Sequence, residues 1–218
     1  MTYELVIGNK NYSSWSFRPW LAMTMAGIPF TETKVQLYSG PTDSGRDPAI
    51  LTHSPAGKVP ILKTEGLIVW DSLAILEFLA EAHPDARLWP SERDARARAR
   101  SISAEMHAGF AALRHECPMN MRRPVRALDL SDAARRDIAR VVEIWTETLK
   151  ASGGPFLFGA FSNADAMYAP VVNRFHVYAA TDDTTARGYM DHMMGLPAWQ
   201  DWEAEGRAET WVIEEEEV

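Results

Sequence analysis

A single cysteine, Cys117, stands in a chain of 218 residues, so no framework of intrachain disulfides can form. That scarcity fits a reducing compartment and sets the expectation of a cytoplasmic protein whose cysteine is buried or inert. No apolar run approaches the ~20 residues that span a bilayer, and no membrane partner is expected. Residues 1–7 carry no basic stretch followed by an apolar segment of the kind that directs export. Positive charge is also short: 22 Lys and Arg stand against 30 Asp and Glu, a formal net charge of −8. A protein that grips nucleic acid through its phosphates needs a basic surface, which this composition does not supply. The histidines lack metal-ligand spacing and no glycine-rich phosphate loop is present, so no metal is expected. What remains is an ordinary globular balance, long enough for one large domain or two small ones.

The order of periodicities divides the chain. Residues 3–8 read as a short strand. Residues 17–26 place Phe17, Leu21 and Met25 on one helical face, which Gly27 and Pro29 end. Residues 30–37 alternate as a half-exposed strand, and residues 38–48 are rich in Gly, Pro, Ser and Asp, as in a loop. Val59–Leu62 and Leu67–Val69 flank a KTEG turn in a hairpin pattern. Asp71 and Ser72 then precede an apolar-periodic helix through Leu79. This β-α-β, β-β-α order predicts a small α/β unit, a mixed sheet with helices packed on it, over residues 1–82. Residues 83–92, with two prolines, read as a linker. Strand signals then nearly vanish. Ile102, Met106, Phe110 and Leu113 predict one amphipathic helix over 93–115, and further helices fall at 131–150, 162–180 and within 187–205. Residues 93–213 therefore read as an all-α helical bundle. The acidic run at 214–218 reads as a frayed, solvated tail.

Four local features bear on chemistry. Asn11-Tyr12-Ser13-Ser14-Trp15-Ser16 lies where a strand gives way to a helix. A serine there serves as a helix cap, or it donates to a thiolate held at the positive end of the helix. Were Ser13 the cap, Pro19 would fall inside the helix, where proline costs about 3 kcal/mol. The helix then either starts near Ser16 or is kinked. Lys58-Val59-Pro60 enters the third strand, where proline is an edge residue or, in the cis form, part of a backbone that presents both N–H and C=O to a ligand. Asp71-Ser72 caps a helix, or binds a carboxylate and an ammonium group at its start. Ser162-Asn163-Ala164-Asp165 reads as a capping-box variant with a structural role.

Together NYSSWSFRPWLA, SPAGKVPIL and WDSLAILEFLAE resemble the cytosolic glutathione transferase family, with the serine-type, zeta- and theta-like arrangement near the start. FSNADAMYAPVV is similar to the family's buried capping motif. The resemblance implies a thioredoxin-like N-terminal domain, an all-α C-terminal domain and a homodimer. It implies that Ser13, with Ser14 as its nearest rival, holds the sulfur of glutathione as thiolate. It implies that Val59 pairs its backbone with the cysteinyl part, that Pro60 is cis, that Asp71 and Ser72 bind the γ-glutamyl end, and that Lys58 reaches the glycyl carboxylate. The cosubstrate is then glutathione, without a metal, and the partner a small electrophile.

Zeta-like enzymes have Ser-Ser-Cys where this chain has Ser13-Ser14-Trp15. That departure weighs against maleylacetoacetate isomerase activity and against cysteine-type disulfide chemistry. The expected activity is glutathione transfer in detoxification. A glutathione-dependent isomerase and a non-catalytic binding or regulatory protein are the alternatives. The architecture of the family nominates Tyr12, Trp15, His107 and Phe110 for the electrophile pocket, with Met119 and Met121 as an apolar wall. Arg114, Arg122 or Arg123 would face an anionic substrate; the bland reading of all of these is core packing and surface charge.

Overall fold

Alternation at the chain start forms β1 (Glu4–Ile7), which pairs in parallel with β2 (Thr31–Lys34) and antiparallel with β3 (Ile61–Thr64). β3 pairs antiparallel with β4 (Leu67–Trp70), giving the sheet order β2-β1-β3-β4. The β3–β4 turn places Glu65 and Gly66 both at positive φ, the backbone that a two-residue hairpin requires and that glycine adopts without strain. Because side chains alternate across a strand, Leu5 and Ile7 pack with Leu62 beneath α1 (Ser14–Met25) and α3 (Ser72–Ala82). Val6 and Ile61 face the other way, onto Ile50 of the short α2 (Pro48–Leu51). This is the thioredoxin-like arrangement expected. The computed structural model describes residues 1–37 and 47–218, so most of the loop expected over 38–48 lies outside the described residues.

The rest of the described chain is helical: α4 (Arg93–Ala108), α5 (Ala111–Glu116), α6 (Asp132–Ser152), α7 (Asn163–Val177), α8 (Thr184–Met194) and α9 (Pro197–Ala208). Every α7 residue except His176 is buried. On one side α7 packs against α1, and on the other it meets Trp145 of α6, whose ring contacts Tyr168, Phe175 and Tyr189 at centroid distances of 5.9, 5.1 and 5.0 Å. Asp165 starts α7 as a capping box: Oδ2 accepts the Ser162 N–H (2.9 Å) and hydroxyl (3.0 Å), and Oδ1 accepts from Leu157 N (2.9 Å) and the Tyr189 hydroxyl (3.1 Å). Each buried donor in this group thereby finds an acceptor.

Two expectations are corrected. The helix predicted over 93–115 is two helices. Gly109 leaves the helical path and Phe110 takes φ +58°, after which Leu113 N donates to Asp137 Oδ2 of α6 at 3.0 Å. The freed carbonyls at the end of α4 are taken by the Arg114 guanidinium, which donates to Met106 O and to His107 O (2.9 Å). The C-terminal segment is not frayed. Glu214–Glu216 forms a 3-10 turn, Ile213 is buried, and its N–H reaches the Tyr12 hydroxyl at 3.4 Å. Tyr12 donates to Glu217 Oε1, Arg122 donates to Tyr12 Oη (2.5 Å) and Glu217 (3.3 Å), and Arg123 Nε donates to the carbonyl of Val218 (2.9 Å). The half-buried Arg122 and the buried Arg123 hold this acidic segment in place through these bonds.

The loop between β1 and α1 is likewise held from the helical half. Glu209 accepts the N–H groups of Lys10 (2.8 Å) and Asn11 (3.1 Å), and Asn11 O accepts from Met121 N (3.2 Å). Lys10, 1% exposed, pairs with Glu32 (2.8 Å) and Glu205 (2.9 Å) while its ammonium lies 4.8 and 5.2 Å from the Trp20 and Trp202 rings. A Cβ at Gly206 of α9 would stand 3.2 Å from the backbone of Lys10 and Asn11, so a side chain there would press on the loop.

Candidate active site

α1 begins at Ser14, and Pro19 lies in its second turn rather than its first. The Ser13 hydroxyl makes no capping bond to the helix. It donates instead to Ser16 Oγ (2.7 Å), which also accepts the Gly8 N–H (3.1 Å). The side-chain capping role open to Ser13 in the sequence is therefore not the one seen. Ser13 sits at the positive end of a 12-residue helix, beside a cavity of about 590 Å³.

That cavity gathers Tyr12, Ser13, Ser14, Trp15, Lys58, Val59, Pro60, Asp71 and Ser72, nine residues drawn from three separate segments. Lys58 is exposed at its rim, and the Val59–Pro60 peptide is cis. Asp71 does cap α3, its Oδ1 accepting from Leu73 N (2.9 Å) and Ala74 N (3.2 Å), and it does so at φ +76°. A non-glycine residue in such a backbone stores about 1–3 kcal/mol and is concentrated at functional sites. Ser72 is fully buried, and its Oγ accepts from Arg18 Nη1 at 3.3 Å, which ties the start of α3 to α1.

Positive charge converges at this cavity. Arg18 is 2% exposed; burial first, then the Arg114 and Arg174 guanidiniums, press its pKa down to about 9, still on the charged side at neutral pH. Burial likewise lowers Arg174, to about 10, and lowers Arg114. The guanidiniums of Arg18 and Arg114 lie 4.4 and 5.0 Å from the Trp15 ring, a cation–π arrangement that spreads their charge onto an aromatic face.

His107 and Phe110 do not line the cavity. His107 stands behind Trp15, ring centroids 5.1 Å apart, with Nε2 3.4 Å from Asp71 Oδ2; burial lowers its pKa, with Arg18 and Arg114 adding to the effect. Phe110 is turned into the core by the break between α4 and α5. Met119 and Met121 are buried in the same core, and Arg122 and Arg123 hold the C-terminal segment. Of the three arginines nominated, Arg114 alone borders the cavity. Cys117 is buried and burial raises its thiol to about 11, so it is a neutral thiol at physiological pH.

Sequence reasoning missed seven cavity residues: Leu37, Asp47, Ile50 and Gly57 from the N-terminal half, and Arg174, Ile213 and Glu216 from the C-terminal half. Arg174 is the lone arginine of α7, in the apolar-rich stretch that follows Val171 and Val172, and that was the available signal. Ile213 and Glu216 reach the cavity only because the terminal segment docks, which no local pattern announces.

Known proteins share this fold. Residues 12–82 match the model of the glutathione S-transferase N-terminal domain, and residues 128–205 match that of the C-terminal domain. The chain belongs to the glutathione S-transferase family. A probable maleylacetoacetate isomerase from Caenorhabditis elegans is 35% identical over 46% of this chain and 45% of its own length. Maleylacetoacetate isomerase from Rattus norvegicus is 29% identical over 73% of each chain. The chain thus aligns with about half of the nematode relative and about three-quarters of the rat one. A Burkholderia glutathione transferase homologue, solved with bound glutathione, superposes with a TM-score of 0.71 at 21% identity, covering 95% of this chain and 99% of that one; it shows the common fold.

Proposed function

We propose that this glutathione S-transferase family member is an enzyme that binds glutathione in the 590 Å³ cavity and holds its thiol as thiolate for attack on small electrophiles. The observation that carries the reading is the meeting, in one cavity, of the Ser13 hydroxyl at the start of α1 with Lys58, Val59, Pro60, Asp71 and Ser72. Each supplies what an extended, zwitterionic tripeptide needs. Lys58 offers a cation to the glycyl carboxylate, and the Val59 backbone pairs with the cysteinyl amide. Ser72 at the start of α3 receives the γ-glutamyl carboxylate, and Asp71 accepts from the ammonium. Ser13 donates to the sulfur, and with the helix dipole it favours the thiolate; the thiol proton passes to solvent. The sulfur then forms a bond to the electrophilic carbon as the leaving group departs with its electron pair. Ser13 is not the nucleophile. Ser14, at the same turn, is the rival donor.

The names of the relatives favour a second reading, in which the thiolate adds to a double bond and is released again after isomerisation. Turnover without consumption of glutathione is its mark. A broad electrophile panel that gives no conjugate, with glutathione bound tightly, favours a non-catalytic binding protein. A role in detoxification and a cytoplasmic location extend the reading, the latter supported by the lone buried Cys117. A homodimer is supported by β4, an edge strand that exposes Leu67, Ile68 and Trp70. Light scattering is expected to give twice the chain mass, and Trp70→Glu to halve it.

The deciding experiment is a pH titration of thiolate absorbance for glutathione bound to the wild type and to Ser13→Ala. The bound thiol is expected to titrate well below free glutathione, and the variant to return it towards the free value. Binding without a shift points to a carrier, and absence of binding overturns the proposal.

A further inference from the structure

The same cavity is bordered by two arginines and one carboxylate from the C-terminal half of the chain: Arg114, Arg174 and Glu216. The carboxylate comes from the acidic C-terminal run, but its position is built. Glu216 N–H donates to Ile213 O at 2.9 Å, and Glu216 O accepts from Asn120 Nδ2 at 3.4 Å. Asn120 is fully buried, its Oδ1 accepting from Asn11 Nδ2 at 3.0 Å and its N–H donating to Asn173 Oδ1 at 3.2 Å. On either side of Glu216 the segment is fixed again, Ile213 and Glu217 through Tyr12 and Val218 through Arg123. A terminal turn pinned this often presents its side chain to the cavity rather than leaving it in solvent.

The charges along this wall are coupled. Burial pushes the Glu216 carboxyl up and Arg174 draws it back down, while Glu216 acts to raise Arg174. Without Glu216, Arg174 would lose the carboxylate acting on it while Arg114 keeps Asp137, and the wall would become more positive, a surface suited to a carboxylate-bearing substrate.

We propose that Glu216 is a specificity-determining residue whose carboxylate offsets Arg114 and Arg174 and turns the second-substrate region toward neutral electrophiles and away from anionic ones. The inference rests on the glutathione reading above and names the substrate class for the same cavity. It also bears on the two enzymatic readings, because an anionic isomerisation substrate would meet the Glu216 carboxylate unfavourably.

The test compares wild type, Glu216→Gln and Glu216→Asp on two probes of the same ring, a neutral chloronitrobenzene and a chloronitrobenzoate. Conjugation rates are read as the ratio of kcat/KM for anion over neutral probe. Calorimetric affinities for the two corresponding glutathione conjugates give the same ratio without turnover. Glu216→Gln is expected to raise the ratio on the order of tenfold, as loss of one partly screened charge near the substrate would. Glu216→Asp, which keeps the charge, is expected to stay near wild type, and Glu216→Ala replaces Gln in the comparison if the Gln variant does not fold. An unchanged ratio in a folded variant, or equal losses on both probes, overturns the inference and leaves Glu216 a structural residue. A wild type that binds both conjugates without turning over either probe fails the catalytic reading alone, and the affinity ratio then decides Glu216 by the same criterion. A wild type that binds neither conjugate sinks both.

Discussion

The Ser13 and Ser16 hydroxyl oxygens lie 2.7 Å apart, and the Gly8 N–H holds Ser16 Oγ from the other side at 3.1 Å. A hydroxyl has one proton to give and can accept twice. With Ser13 donating to Ser16, its proton is engaged. A thiolate arriving at Ser13 claims that proton, and Ser16 can then reverse and donate to Ser13 while keeping its bond from Gly8. Ser13→Ala is expected to lower kcat by about 10²–10³, the usual effect of removing a donor to developing charge, with a smaller effect on the KM for glutathione. Ser16→Ala keeps the donor but loses its orientation, so a loss of about tenfold with a partly raised bound-thiol pKa is expected. Equal turnover in Ser16→Ala and wild type would show that the pair does not act together.

Lys10 is buried where the two halves meet, between Glu32, Glu205 and two tryptophan rings. Lys10→Met removes two ion pairs and two cation–π contacts, and is expected to lower unfolding free energy by about 2 kcal/mol in urea titration. Glu205 is half exposed, so Glu205→Gln is expected to cost under about 1 kcal/mol. A larger loss from Glu205→Gln than from Lys10→Met would contradict this ranking.

Burial raises the Asp165 carboxyl from 3.8 to about 6, against the pull of its four donors. The folded state therefore binds more protons than the unfolded chain between those values, and the contribution of this group to stability falls as pH rises from about 4 to about 6. Urea midpoints across that window are expected to carry this slope in wild type and to lose it in Asp165→Asn. An identical profile in the variant would assign the slope elsewhere.

Cys117 offers a neutral, enclosed thiol. Cys117→Ala is expected to keep turnover within about twofold, and the native protein to react with an aromatic disulfide reagent far more slowly than the urea-unfolded chain. Rapid labelling accompanied by inactivation would reopen chemistry at cysteine.

The parts of the fold that sequence made legible are those set by neighbours in the chain. Alternation at Leu5, Val6 and Ile7, the turn at Glu65-Gly66 and the cap at Asp71 are local, and each appears where its pattern predicts. The break at Gly109-Phe110 was not legible, because the apolar spacing runs through it unbroken. It is decided by Arg114 and Asp137, which supply the partners that a continued helix would have made unnecessary. Of the two alternatives left for α1, the later start near Ser16 is not the one seen: the helix begins at Ser14 and keeps Pro19 inside it, where α1 is packed tightly against α7. In the cavity, the three segments on the N-terminal side were readable from ordered motifs. Arg174, Ile213 and Glu216 were not, since only the folded chain brings residues so distant in sequence to the same wall.

The loop that carries Ser13 is clamped by Glu209, Met121, Gly206 and the Lys10 ion pairs, all but one of whose partners belong to the helical half. The turn that carries Ser13 is therefore not a transferable cassette. A chimera that keeps residues 1–82 and takes another helical half would retain every motif by which this family is recognised, and would still lack the scaffold that sets where the serine points.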